Sequence, residues 1–153
     1  MKTSHAASCP SIGFITLILA YPGFPFHCSP NPVTNTVKHF KFEPRGKARL
    51  HKRANAAEQT ACRPWLAAEL ARVKPKRIVA LGLMAAQTLF GNAFRMHRDR
   101  GRWHRLANGV MAMATWHPAG ILRLREATSH DRAFNELVAD LGHAARAADI
   151  DEA

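Results

Sequence analysis

Apolar and polar residues alternate along this chain in a few distinct ways, and each predicts a different kind of element. Short, continuous apolar runs bounded by chain breakers predict buried strands: Arg77–Leu81 (RIVAL), closed by Gly82, and Val110–Thr115 (VMAMAT), followed by Trp116 and His117-Pro118. Val33–Phe40 (VTNTVKHF) predicts a further strand ending in polar groups. Apolar residues at helical spacing predict helices laid on a sheet, with Leu66, Leu70 and Val73 on one and Phe134, Leu137, Val138 and Leu141 on another. Asn55 with Glu58 three residues later is a capping-box pattern. Pro64 is expected to interrupt the helix so capped or, in preference, to open a second one at its first turn, and Lys74-Pro75-Lys76 to end it. Met84–Phe90 reads as a small helix stopped by Gly91-Asn92, and Ser129 as the cap of the last helix. The polar stretch from Glu43 to Ala54 reads as a loop.

Strands alternating with helices, and apolar throughout, predict an α/β fold with a central parallel sheet covered on both faces. Ligands of such sheets bind beyond the carboxyl ends of the strands, which places two polar clusters there, Asn35–His39 and His117. A separate apolar run, Ile12–Tyr21 (IGFITLILAY), is too short to cross a bilayer as a helix. A signal peptide or a buried strand would each look like this. An exported or membrane-associated basic protein is therefore one reading, ranked below a cytoplasmic protein with no membrane partner.

With 153 residues, 47% of them hydrophobic, the chain is sized for one domain with a working core. Lys and Arg number 22 against 11 Asp and Glu, a formal charge of +11. That excess favours a polyanionic partner, because neutralising phosphates releases counterions. Arginine-rich, alanine-rich composition accounts for part of it without any partner. Three cysteines, Cys9, Cys28 and Cys62, are widely spaced with no CxxC, which argues against a disulfide framework and against a self-contained zinc site.

Several residues have the chemistry of a nucleic-acid site. His51 sits among Lys47, Arg49, Lys52 and Arg53, cations that disfavour its protonated form. A neutral imidazole is a competent nucleophile, and the same cations would hold a phosphate backbone. On spacing alone, a solvated basic loop explains this stretch more simply. His117, at the end of a buried strand and fixed by Pro118, could donate to an anion developing on a leaving base, or bond a loop carbonyl. Asn35 offers the donor and acceptor needed to read a pyrimidine edge, or ordinary turn chemistry. His39 and Cys62 are two metal-ligand types flanking the basic stretch, although Cys62 could be a buried apolar residue. Ile121-Leu122-Arg123 could form an apolar wedge beside a phosphate clamp, or a turn packed on the core. The charged turn Asp99-Arg100-Gly101-Arg102 is expected to face solvent.

Four segments in order, VTNTVKHFKFEPRGKARLHK, ACRPWLAAELARVKPKRIVALG, FRMHRDRGR and TWHPAGILR, resemble the uracil-DNA glycosylase superfamily, iron–sulfur family 4-like and of the UdgX type. The resemblance runs from about Val33 to Ala147. It implies a three-layer α/β sandwich around a parallel sheet, and base-excision repair of uracil flipped out of DNA. The UdgX type implies a loop histidine that attacks the sugar carbon and leaves the protein joined to DNA. By that resemblance His51 is the nucleophile, Asn35 the uracil reader and His117 the stabiliser of departing uracil. His39 and Cys62 match two of four ligands of a 4Fe-4S cluster, and Lys47, Arg49, Lys52, Arg53 and Arg123 the DNA contacts.

The sequence departs from the family in four places. The CxxC pair that supplies the other two cluster ligands does not occur, nor does a Gly-Glu-x-Pro-Gly motif. The usual Lys-Arg-Arg-Ile-His loop reads KARLH, and the usual His-Pro-Ser-Ser reads HPAG. Expected, then, are an unrelated leader over residues 1–32, an incomplete domain over 33–148 lacking its first strand, and a tail over 149–153. The cluster is expected to be absent or unstable and the partner to be uracil-containing, single-stranded DNA, met by a monomer. Activity is expected to be impaired, the alternative being a catalytically inactive nucleic-acid-binding remnant.

Overall fold

The two apolar runs RIVAL and VMAMAT lie side by side in the middle of one sheet. The computed structural model describes residues 16–20, 33–39 and 41–149. Its elements are β1 (Thr16–Ala20), β2 (Val33–Asn35), β3 (Phe42–Arg45), β4 (Ala48–His51), α1 (Ala56–Val73), β5 (Arg77–Leu81), α2 (Leu83–Phe90), α3 (Met96–Asp99), β6 (His104–Arg105), β7 (Met111–Thr115), α4 (Pro118–Ile121) and α5 (Ala127–Asp149). Five strands form a sheet in the order β2-β1-β5-β7-β6, and β3 and β4 form a separate hairpin.

The sheet is mixed, which corrects the expectation of a parallel one. Among the described strands only β5 and β7 pair in parallel, with Ile78 opposite Ala112 and Ala80 opposite Ala114. β6 and β7 are joined by the short turn between Leu106 and Val110, a connection that permits only antiparallel pairing. β1 falls within the Ile12–Tyr21 run and is antiparallel to both neighbours, Ile18 facing Val33 on one side and Val79 on the other. Hydrophobic periodicity fixes which residues are buried but carries no strand direction, so this feature could not be read from the pattern.

Helices pack on both faces. Ile78, Ala80, Ala112 and Ala114 meet Leu66 of α1, Ala85 and Ala86 of α2, and Phe94 and Met96. Val79, Leu81 and Met113 meet Ala144 of α5. β5 and β7 are therefore covered on both sides, which is why they read as continuous apolar runs.

The capping box at α1 is present: Glu58 N–H donates to Asn55 Oδ1 at 2.9 Å, and Asn55 N–H donates to Glu58 Oε2 at 2.7 Å. Pro64 does not start a new helix; it lies inside the single 18-residue α1. Cys62 and Leu66, one turn apart on either side of it, are both buried, so packing holds the helix across the missing N–H. The strand expected over Val33–Phe40 stops at Asn35, because Thr36 turns inward and Lys38 N–H donates to Cys62 Sγ at 3.3 Å rather than to a strand; Phe40 lies outside the described residues. The last helix begins at Ala127 rather than after Ser129, whose hydroxyl donates to Glu126. Phe134 and Val138 are 52% and 54% exposed, not buried. The inward face of α5 is rotated toward Ala133, Leu137, Asp140 and Ala144, leaving those two on its flank.

Candidate functional site

β2, β5 and β7 run in one direction, so Asn35, Leu81 and Thr115 mark their carboxyl ends along one edge of the sheet. Gly82 leaves β5 with φ 86° and ψ 164°, and its N–H donates to Thr115 carbonyl at 2.9 Å. A Cβ at this position would lie 2.9 Å from His117 Cβ, so the absence of a side chain is what lets the two chain exits touch. His117 in turn caps the short α4: its Nδ1 accepts the Ala119 N–H at 3.1 Å. A backbone amide can only donate, so neutral His117 carries its proton on Nε2, a buried atom.

A cleft of about 420 Å³ opens here, with His51, Arg53, His117 and Arg123 among its walls beside Gly82 and Leu83. The structure thus brings together two histidines more than sixty positions apart in the sequence. His51 reaches it from the end of β4, not from a loop. The loop expected over Glu43 to Ala54 is a hairpin instead: Phe42 pairs with His51 and Arg45 with Ala48 about a two-residue turn, Gly46-Lys47. Both faces of this hairpin are exposed, so no apolar alternation betrays it. The Arg49 guanidinium lies 4.8 Å over the Phe42 ring, and Lys52 Nζ pairs with Glu43 at 2.8 Å. Of the five cations expected on DNA, Arg53 and Arg123 line the cleft; Lys47, Arg49 and Lys52 are exposed on the adjoining hairpin. Asn35 does not line the cleft. It stands at the same sheet edge, separated from β5 by β1.

The segment after β2 is fastened to α1. Lys38 Nζ and Thr34 Oγ1 both donate to Glu69 Oε2, at 2.6 Å and 2.5 Å. Burial pushes the Glu69 carboxyl up, but these two hydrogen bonds and the Lys38 charge outweigh it and leave it below the usual carboxylate range. His39 Nδ1 lies 3.6 Å from buried Cys62 Sγ, so the two expected ligand types do meet. Among the described residues no group of three or more His, Cys, Asp or Glu side chains is placed to hold a metal. Two donors do not make the four-ligand set of an iron–sulfur cubane.

Ile121 is buried, whereas the next residue, Leu122, is 77% exposed, and Arg123 turns into the cleft. One apolar side chain therefore projects beside the site while its neighbour anchors the turn.

Sequence reasoning missed a polar network behind His117. Arg100 was placed in a solvent-facing turn, but its Nη1 donates to Asp140 Oδ2 at 2.8 Å and its Nη2 lies 3.0 Å from Glu136 Oε1. Fully buried Thr115 donates through Oγ1 to the same Asp140 oxygen at 2.6 Å, and Trp116 Nε1 donates to Glu136 Oε2 at 2.7 Å. Burial raises the Glu136 carboxyl, but hydrogen bonds from Trp116 and Arg132, with the charges of Arg100 and Arg132, bring it below its ordinary range. The available signal was two acids, Glu136 and Asp140, four residues apart on the same helix face as Ala133 and Leu137. A second cleft of about 580 Å³ lies over this network and shares Gly82, Leu83, His117 and Gly120 with the first.

No curated protein matches the chain. The family model of the uracil DNA glycosylase superfamily matches residues 31–142.

Proposed function

The chain belongs to the uracil DNA glycosylase superfamily, and from that premise we propose that it acts on uracil in DNA, with His51 capturing the sugar covalently as in the UdgX type. The observation that carries this reading is that His51 and His117 line one cleft. In the step we propose, an imidazole nitrogen of His51 attacks C1′ of the deoxyuridine. The C1′–N1 bond breaks, its electron pair leaves with uracil, and the imidazole sheds its proton to water. His117 Nε2–H donates to the oxygen that gains charge on the departing base. Removing one such donor typically slows a reaction by about 10²–10³-fold.

The surrounding residues fit supporting roles in this reading. Asn35 presents an amide to the pyrimidine edge from the same side of the sheet. Leu122 fills the space a flipped nucleotide leaves in the stack. Arg53 and Arg123 hold phosphates at the cleft, and Lys47, Arg49 and Lys52 extend the basic surface along the hairpin. We take single-stranded DNA as substrate, since no unpairing is then needed, and a monomeric, cytoplasmic protein as its reader. Among the described residues no helix is long and apolar enough to cross a membrane. We read the helices on both sheet faces as a three-layer sandwich lacking the family's own first strand.

A second reading, a DNA-binding protein without catalysis, needs only the formal charge of +11 and the exposed cations of the hairpin. One experiment separates the two. The protein is incubated with an oligonucleotide bearing a single uracil, beside a thymine oligonucleotide and a His51→Ala variant, and resolved on a denaturing gel. A heat-stable shifted band that needs both uracil and His51 supports covalent capture. Neither shift nor abasic product, from protein that is folded and binds DNA in a salt-sensitive way, leaves the binding reading.

A further inference from the structure

We infer that Arg100 is a positioning residue for His117: one guanidinium ties together the two carboxylates that hold the two residues immediately before it. The inference rests on the reading of His117 as the group that stabilises the departing base. β7 ends at Thr115, and the next two residues carry the chain into the cleft. Each of the three is held by a different bond: Thr115 Oγ1 to Asp140, Trp116 Nε1 to Glu136, and His117 Nδ1 to the Ala119 amide. The first two acceptors sit one turn apart on α5 and would repel each other unscreened. Arg100 lies between them, with Nη1 on Asp140, Nη2 on Glu136 and the guanidinium carbon 5.9 Å from the Trp116 ring. Its forked, planar geometry matches two acceptors at once, which an ammonium does not reproduce.

Partial burial makes these bonds effective. Arg100 and Glu136 side chains are about one-fifth exposed, and Asp140 is about one-tenth exposed. A strand end held at two successive residues by one helix leaves the imidazole few alternatives. Loss of the bridge therefore costs orientation more than DNA affinity: Arg100 lines the second cleft rather than the one that holds His51 and Arg123, and its charge is already matched by Glu136 and Asp140.

The test uses the full chain with Arg100→Lys and Glu136→Gln. The Gln carbonyl still accepts the Trp116 indole proton, so this variant removes charge while keeping that bond. Arg98→Gln, a substitution of the exposed partner of Asp99, is the control. Three quantities are measured: the affinity for a uracil oligonucleotide, the single-turnover rate of adduct formation or uracil release at saturating DNA, and the ¹⁵N resonances of the His117 ring. The expected result is affinity within about twofold of wild type and a rate lower by about 100-fold, the scale of a misplaced group. The ring nitrogens should lose the signature of a single Nε2–H tautomer, and Arg98→Gln should change none of these. Folded Arg100→Lys and Glu136→Gln proteins with wild-type rate and wild-type His117 resonances would overturn the inference. A wild-type chain that binds but neither excises uracil nor forms an adduct sinks the glycosylase reading alone, and the ring resonances still decide whether Arg100 orients His117.

Discussion

Gly82→Ala should be among the most damaging small substitutions in this chain, and Gly91→Ala isolates the reason. Both glycines have nearly the same backbone, φ 86° and ψ 164° against φ 88° and ψ 170°, a region essentially reserved for glycine. They differ in surroundings: an added Cβ at Gly82 meets His117 Cβ at 2.9 Å, while one at Gly91 meets nothing within 4 Å. Gly91→Ala thus carries backbone strain alone, about 1–3 kcal/mol. Gly82→Ala adds the cost of forcing packed atoms apart, roughly another 1–3 kcal/mol. Together these approach a sizeable part of the ~5–15 kcal/mol that holds a domain folded. Urea unfolding of both variants, compared at equal m-value, reads the difference directly. Equal midpoints for the two variants would refute the claim that Gly82 exists to admit His117, and a wild-type midpoint for Gly91→Ala would refute the strain argument itself. Gly82→Ala should also shift the His117 ring and slow base release, whereas Gly91→Ala should not.

Three further outcomes are expected. Asn55→Ala removes one half of the capping box on α1 and should cost about 1 kcal/mol in urea denaturation, with Asn55→Asp close to wild type; an unchanged midpoint would show the cap is not used. The Arg98 guanidinium first, and the Arg95 backbone N–H second, hold the Asp99 carboxyl down from 3.8 to about 2. A depressed carboxylate stabilises the fold above its unfolded value and stops doing so as pH falls through its folded one. Thermal stability should therefore drop between pH 3.8 and about 2, and Asp99→Asn should flatten that part of the profile. Arg53→Ala and Arg123→Ala should each lower the dependence of log affinity on log salt by about 1, equally for uracil and thymine oligonucleotides. Unchanged slopes would remove both from the DNA interface.

The parts of this fold that read clearly from sequence are those where burial is two-sided or where a cap has its own chemistry. Arg77–Leu81 was found at its observed bounds, and Val110–Thr115 within one residue, because both faces of β5 and β7 are covered. The start of α1 was equally legible from Asn55 and Glu58. The β3–β4 hairpin was not, since its cations and Leu50 are exposed on both faces and its pairing leaves no apolar trace. His51 and His117 were singled out individually, yet no local pattern says that they share a cleft. Arg100 was misjudged because an arginine beside glycine usually faces solvent, and its partners lie about forty residues later on α5. Pro64 and the flank residues Phe134 and Val138 were misread for one reason: packing of α1 and α5 against the sheet outweighed the local rule.

β1 has a practical consequence for where this protein can be cut. The family match begins at residue 31, while Thr16–Ala20 lies before it and occupies an interior position of the sheet. The stretch that the family model matches and the stretch that builds the sheet are thus different lengths of chain. An expression clone trimmed to the matched region would discard the one strand, among the described residues, through which β2, and with it Asn35, joins the rest of the sheet. Within the described residues it would also lose Ala144, the buried α5 member of the cluster with Val79 and Met113. In such a clone, among the described residues, the Asn35 segment would hang from α1 by Thr34, Lys38 and His39, and its distance to His117 would no longer be set by hydrogen-bonded register.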